Sequence, residues 1–261
     1  MTAREHDPMT RVEWNEVKLP LVPGSALVTG AGSGIGKSVV EAFVACGVRV
    51  AAVDCTPPGA DLEPRLRDGS VLYLKRDVCD FEGAVTAVRE ATETLGPVSM
   101  LVTCAGIARD AASWKMSEED WRTVLDVDLT GSFTYARALA PSLRNLARGR
   151  IVFVSSINGL RGKFGQANYA AAKAGLVGLA KTLAHELGPR GVTVNVVAPG
   201  MVRTPMTASL PDEIVARART ESVLGRLAEA EDIAGTIVFL CSTLARHVTG
   251  VVVPVDGGQS L

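Results

Sequence analysis

Tyr169 and Lys173 stand four residues apart in the run Asn168-Tyr-Ala-Ala-Ala-Lys-Ala-Gly175, and Ser156 lies thirteen residues upstream. The alanines between them are strong helix formers. Four residues along a helix put both side chains on one face, roughly 6 Å apart along the axis. An ammonium beside a phenol favours the phenolate, and would lower the tyrosine from its reference of about 10 toward the working pH. Such a phenol gives or takes a proton at a carbonyl or alcohol oxygen. A lone Tyr-x-x-x-Lys is common by chance, so its meaning depends on what the rest of the chain places around it.

From Ser25 onward the sequence repeats a pattern of apolar strand, glycine turn and amphipathic helix. Strands are expected at Ala26–Thr29, Arg49–Val53, Val71–Lys75, Met100–Cys104, Ile151–Ser155, Thr193–Ala198 and Val251–Val255. Their near-continuous apolar character fits a parallel sheet buried on both faces. Helices are expected at Gly34–Ala45, Phe81–Leu95, Glu118–Leu146, Ala167–Leu187 and Glu231–Ser242. The alternation implies an α/β fold, a Rossmann-type doubly wound parallel sheet of about seven strands with helices on both faces. Residues 1–22 read as an N-terminal extension and 23–261 as one domain, since no linker-like shift or repeat interrupts them. Ser156 then stands at a strand C-terminus, where such sheets place their sites, although a serine there is also a natural helix cap. The long irregular stretch 200–227 follows another strand end and is a candidate substrate lid.

Composition narrows the function classes. The 27 basic and 28 acidic residues are dispersed, giving a net charge of −1, so neither nucleic acid nor a membrane surface is the expected partner. No apolar run approaches the ~18 residues of a membrane span. The polar opening Met1-Thr-Ala-Arg-Glu-His-Asp-Pro lacks the apolar stretch of a signal peptide, and the five cysteines contain no Cys-x-x-Cys pair. A cytoplasmic protein with reduced thiols is expected. His6, His185 and His247 have no ligand-like spacing, so no metal is expected.

The first strand-to-helix turn is Thr29-Gly30-Ala31-Gly32-Ser33-Gly34-Ile35-Gly36. Glycines there let the backbone approach a pyrophosphate, and the helix N-terminus favours its charge. Asp54 ends the second strand, 18 residues past Gly36. A carboxylate at that point accepts hydrogen bonds from ribose hydroxyls and repels a 2′-phosphate, which argues for NAD. Lys37 is basic and nearby, which keeps NADP as the alternative.

Taken together, the glycine turn, Asp77-Val78, Ala105-Gly106, Ser156, Tyr169-x-x-x-Lys173, Asn195 and Pro199-Gly200 resemble the short-chain dehydrogenase/reductase family. The resemblance spans nearly all of residues 22–261. Within the family, the runs Gly165–Gly175 and Gly191–Gly200 look most like 3-oxoacyl-[acyl-carrier-protein] reductases.

The resemblance implies that Asp77 and Val78 border the adenine and that the backbone at Ala105 and Gly106 passes under the cofactor ribose. It implies that Pro199, Gly200, Val202 and Thr204 hold the nicotinamide. It further implies a homotetramer, or a dimer, built on two-fold axes. Two positions depart from the family pattern. Thr103-Cys104 replaces the usual Asn-Asn, which removes the side-chain anchor of the first asparagine but leaves the glycine approach, and Cys104 is counted with the cofactor-binding residues. Asp128 replaces the asparagine of a water-linked proton relay to the lysine, as a fourth catalytic member or as a helix-packing carboxylate. The implied reaction is reversible hydride transfer between a nicotinamide and a small secondary alcohol or ketone. Ser156 binds the substrate oxygen, Tyr169 is the general acid/base, and Lys173 tunes Tyr169 and binds the ribose. The alternatives are an NADPH-dependent 3-oxoacyl reductase served by an acyl-carrier protein, or a non-catalytic dinucleotide-binding sensor or scaffold.

Overall fold

The computed structural model describes Trp14 and residues 19–261. Seven strands form one parallel sheet: β1 (Ser25–Thr29), β2 (Val50–Asp54), β3 (Val71–Lys75), β4 (Val98–Thr103), β5 (Gly149–Val154), β6 (Val192–Pro199) and β7 (Val252–Val255). Their spatial order is β3-β2-β1-β4-β5-β6-β7. The order reverses between β1 and β4, which opens a crevice at the carboxyl ends of those strands.

Both sheet faces are covered, and the strand sequences show why. Ala26 and Val28 point into one core, while Leu27 between them points into the other. The first core packs under α1 (Gly34–Ala45) and, near the other end of the chain, a helix at Ala230–Cys241. The second packs under helices at Phe81–Leu95, Gly131–Leu146 and Ala167–Leu187. A strand apolar on both faces loses the period-2 signature and keeps a continuous apolar run.

The helices, in chain order after α1, are α2 (Glu63–Arg67), α3 (Phe81–Leu95), α4 (Glu118–Leu125), α5 (Gly131–Leu146), α6 (Ile157–Arg161), α7 (Ala167–Leu187), α8 (Asp212–Glu221) and α9 (Ala230–Cys241). Asp80 caps α3 by accepting from the Gly83 N–H at 2.9 Å, and Ser117 caps α4 by accepting from the Asp120 N–H at 3.0 Å.

Three expectations need correction. The helix expected over Glu118–Leu146 is interrupted by a wide π turn at Asp126–Thr130, which separates α4 from α5. Such turns insert an extra residue and gather at functional sites. The stretch 200–227 is not wholly irregular, because its acidic start and alanine-rich body form α8. The short helices α2 and α6 were not expected at all. Of the N-terminal extension, Leu21 bridges to Ser242 and the Val22 N–H donates to the Cys241 carbonyl. The rest of that segment, apart from Trp14 and residues 19–22, lies outside the described residues.

Candidate active site

A cavity of about 860 Å³ lies at the carboxyl ends of the strands. The catalytic and cofactor residues read from the sequence line it, except Asp128, which is fully buried against two lining residues, Lys173 and Gly106.

At one end is the turn from β1 to α1. Gly30 has φ +65°, and a Cβ there would lie 2.6 Å from the Ala105 backbone nitrogen. Only glycine satisfies both the left-handed conformation and the approach of the β4 loop. Ser33 begins α1 but makes no side-chain capping bond, so the first turn, Gly34 to Gly36, opens into the cavity. A helix N-terminus set this way attracts a diphosphate. Asp54 closes β2 beside it. Its Oδ2 accepts from the Gly32 N–H at 2.9 Å, and its Oδ1 accepts from the Thr56 N–H and hydroxyl at 2.9 and 2.8 Å. The carboxylate is thereby held at the cavity edge with lone pairs left for hydroxyl donors. Lys37 is not in the cavity; its ammonium pairs with Asp61 and Glu41. Asp77 and Val78 border the same region, where Asp77 accepts from the Cys79 N–H at 2.9 Å. This glycine-walled end, with a helix N-terminus and a carboxylate, fits a dinucleotide.

At the other end stand Ser156, Tyr169 and Lys173. Ser156 follows β5 and caps α6, accepting from the Asn158 N–H at 3.1 Å while its own hydroxyl proton faces the Tyr169 phenol. Cap and substrate ligand are therefore compatible roles. Tyr169 and Lys173 share one face of α7, with the ammonium 5.5 Å from the phenol ring centroid. Lys173 is buried at 4 % exposure and donates to the Val154 carbonyl at 3.2 Å. Its Nζ lies 3.1 Å from Oδ2 of Asp128, which is 0 % exposed. Oδ1 of Asp128 accepts from the Ile107 N–H at 2.8 Å.

The expected lowering of the Tyr169 phenol does not occur. Burial pushes it above its ordinary value, Lys173 offsets only part of that, and the Asp128 carboxylate acts against Lys173. Burial alone would pull the Lys173 ammonium down, but Asp128 and Tyr169 together raise it. Asp128 is itself pushed up by burial, against the pull of Lys173 and the Ile107 N–H. Cys104 lines the cavity next to this pair, and burial pushes its thiol up to about 12, so it is no nucleophile at neutral pH.

Pro199 and Gly200 end β6 at the cavity wall. Val202 pairs with Ala228, and its carbonyl accepts from the Thr207 hydroxyl at 2.7 Å. Thr204 is tied to the same hydroxyl through its N–H at 3.1 Å. Asn195 lies off the site: its side chain joins β6 to the Val248 carbonyl at 2.9 Å.

Sequence reasoning missed the wall around the substrate end. The Gln166 amide donates to both oxygens of Asp110 at 3.1 and 3.0 Å and accepts from Asn158 at 3.0 Å. Arg161 on α6 reaches Glu221 on α8 at 3.5 Å and the Gln259 carbonyl at 2.8 Å. The Gln259 side chain accepts from the Met201 N–H at 2.7 Å and donates to the Ala218 carbonyl at 2.6 Å. Gln166 did stand in a motif run. Arg161 and Gln259 carry no local signal, because their partners are remote in sequence.

The family model described as Enoyl-(Acyl carrier protein) reductase matches residues 30–260. An acetoacetyl-CoA reductase of Shinella zoogloeoides is 39% identical over 235 residues, covering 90% of this chain and 97% of the relative. The short-chain reductase protein NovJ of Streptomyces niveus is 40% identical over 244 residues, 90% of this chain and 93% of its own. A 3-oxoacyl-[acyl-carrier-protein] reductase of Thermotoga maritima is 40% identical over 235 residues, 89% and 96% of the two chains. Among the described residues no helix is long and apolar enough to cross a membrane. With this fold, this cavity and these relatives, the chain belongs to the short-chain dehydrogenase/reductase family and is an NAD(P)-dependent oxidoreductase of alcohol and ketone groups.

Proposed function

We propose that the chain is an NAD-preferring alcohol dehydrogenase or ketone reductase in which Tyr169 moves the proton. The observation that carries this is one cavity with Ser156, Tyr169 and Lys173 at one end and Asp54 at the other. A nicotinamide, when bound, supplies or accepts the hydride. Gly30, Ser33 and the first turn of α1 hold the diphosphate, and Asp54 takes the adenosine ribose hydroxyls. The Ser156 hydroxyl donates to the substrate oxygen and steadies charge that develops there. Tyr169 Oη gives its proton to that oxygen in reduction and takes it back in oxidation. Lys173 sets the charge beside the phenol and reaches toward the nicotinamide ribose. Asp128 acts through Lys173.

The side chains beyond Tyr169 are mixed. Met201, Met206, Leu210 and Ile214 line the cavity with Asp110, Asn158 and Arg161. This favours a partly apolar substrate with a polar group near the carbonyl. The preference for NAD is supported by the fixed Asp54 carboxylate and by Lys37, which is drawn toward Asp61. The second reading, an NADPH-dependent 3-oxoacyl thioester reductase with an acyl-carrier protein as partner, is favoured by the names of the relatives. A homotetramer or dimer and a cytoplasmic setting belong to both readings.

Rates with NAD(H) and NADP(H), on simple alcohols and ketones and on an acetoacetyl thioester, separate the two. Tyr169→Phe is expected to abolish turnover while NAD still binds, as read by calorimetry. Full activity in that variant removes the mechanism. An absence of turnover over a broad panel with the wild type points instead to a binding protein that senses or scaffolds.

A further inference from the structure

Asp128 occupies a position where a neutral amide would leave the Lys173 ammonium as a net positive charge. Here the carboxylate sits 3.1 Å from that ammonium, with no solvent exposure, and a second bond from the Ile107 N–H fixes it. The packing admits little else. A Cβ on Gly106 would come within 2.9 Å of Asp128 Oδ2 and 3.1 Å of Lys173 Nζ. The main-chain carbonyl of Asp128 already accepts from the Ser132 hydroxyl at 3.2 Å. The contact to Lys173 is thus direct, between two formal charges.

The charges facing the phenol follow from four elements. Lys173 contributes one positive charge from α7 itself. Asp128 contributes one negative charge from the π turn, and Asp110 another from the loop after β4. Ser156 faces the phenol from the β5–α6 junction as a neutral donor, and Cys104 faces Lys173 as a buried thiol. The Asp128 carboxylate thus opposes the Lys173 charge beside Tyr169, and Asp110 adds to it in the same sense.

We propose that Asp128 is a positioning residue that poises the site for carbonyl reduction, by cancelling the Lys173 charge so that Tyr169 keeps its proton. The inference rests on the reading of Tyr169 as the acid/base. In reduction, the carbonyl carbon gains a hydride from the reduced nicotinamide and its oxygen gains the Tyr169 proton. The phenolate left behind recovers a proton from solvent. The free site therefore starts in the form that reduction needs, up to alkaline pH. Oxidation needs the phenolate and begins only there. The overall equilibrium constant is unchanged; what Asp128 sets is the pH range in which each direction finds the correct form.

The test reads the phenol directly. The chain has three tyrosines, Tyr73, Tyr135 and Tyr169, and Tyr73→Phe leaves two. Tyr135 is fully buried and burial pushes its phenol well up, so its transition has to be told apart from that of Tyr169. The protein is titrated without cofactor by ultraviolet difference absorbance, and Tyr169→Phe in the same background identifies the transition. The parent transition is expected above the ordinary value of about 10. Asp128→Asn is expected to lower it by about one unit or more, a tenfold gain in phenolate at a given pH. The basic limb of kcat/KM for reduction and the acid limb for oxidation move down with it.

A parent transition at or below about 10 overturns the proposal without any variant, which covers the case where Asp128→Asn does not fold. An Asp128→Asn transition in place, with unmoved pH limbs, also overturns it. The acid/base reading fails separately, if Tyr169→Phe retains full activity, because the titration needs no turnover.

Discussion

Gly106→Ala isolates the packing that holds the site together. An added Cβ would meet the ends of two side chains, Asp128 Oδ2 at 2.9 Å and Lys173 Nζ at 3.1 Å. Neither end is free to withdraw. Asp128 is anchored by the Ile107 N–H at 2.8 Å, and Lys173 by the Val154 carbonyl at 3.2 Å. Overpacking of this kind costs about 1–3 kcal/mol. At roughly 2–4 °C per kcal/mol for a chain of this length, the melting temperature falls by about 2–12 °C. Gly178→Ala is the control. Gly178 lies inside α7, and nothing lies within 4 Å of its added Cβ. That change stabilises by about 0.4–1 kcal/mol through the unfolded chain. Differential scanning calorimetry of both, and of Gly106→Ala in an Asp128→Ala background, completes the argument. In the double variant the Gly106 penalty shrinks, because its principal obstacle has gone. A Gly106→Ala protein as stable as its parent refutes the reasoning, and so does a penalty that survives intact without the Asp128 carboxylate.

Asp54→Ala is expected to narrow the ratio of kcat/KM for NAD over NADP, and a wild type that already prefers NADP contradicts the ribose role. Arg161→Met breaks the pair to Glu221, whose side chains are 39% and 32% exposed. Its stability should change by only about 0.2–1 kcal/mol, while the KM for substrate rises as α8 loses a tie; an unchanged KM means that α8 does not shape the substrate site. Burial pushes the Asp232 carboxyl up, but its bonds from Arg226 and the Glu229 N–H more than reverse this and hold it below its usual range. Its contribution is full above the unfolded value of about 3.9 and is lost as pH falls through the lower folded value. The stability gap between wild type and Asp232→Asn, measured by urea unfolding, should therefore close below about pH 4; a gap that stays constant with pH counts against the ion pair.

The sheet was legible because burial on both faces leaves continuous apolar runs, and β2 ends at Asp54 as expected. The glycine turn was legible because close backbone approach at Gly30 admits one residue type. Tyr169 and Lys173 were legible as neighbours because helical spacing is local. The protonation of Tyr169 was not. It depends on burial and on Asp128, which is 45 positions from Lys173 in the chain and meets it only through the fold. The π turn was hidden for another reason: apolar positions recur through Glu118–Leu146 with nothing to mark an extra residue. Arg161 and Gln259 are 98 residues apart, beyond any pattern in a local window.

The π turn at Asp126–Thr130 also sets a rotation. One residue advances an α-helix by about 100°. Upstream of the turn, α4 lies against α7; within it, Asp128 meets Lys173, and Leu129 nests where Gly175 leaves room. Downstream, Tyr135, Leu139 and Leu143 face the sheet. Deleting one residue from the turn would make the helix more regular and turn one half against the other by about 100°. Either the carboxylate would swing away from the ammonium, or the buried stripe of α5 would swing toward solvent. The local irregularity is what lets one continuous helical rod serve two surfaces that do not share a phase.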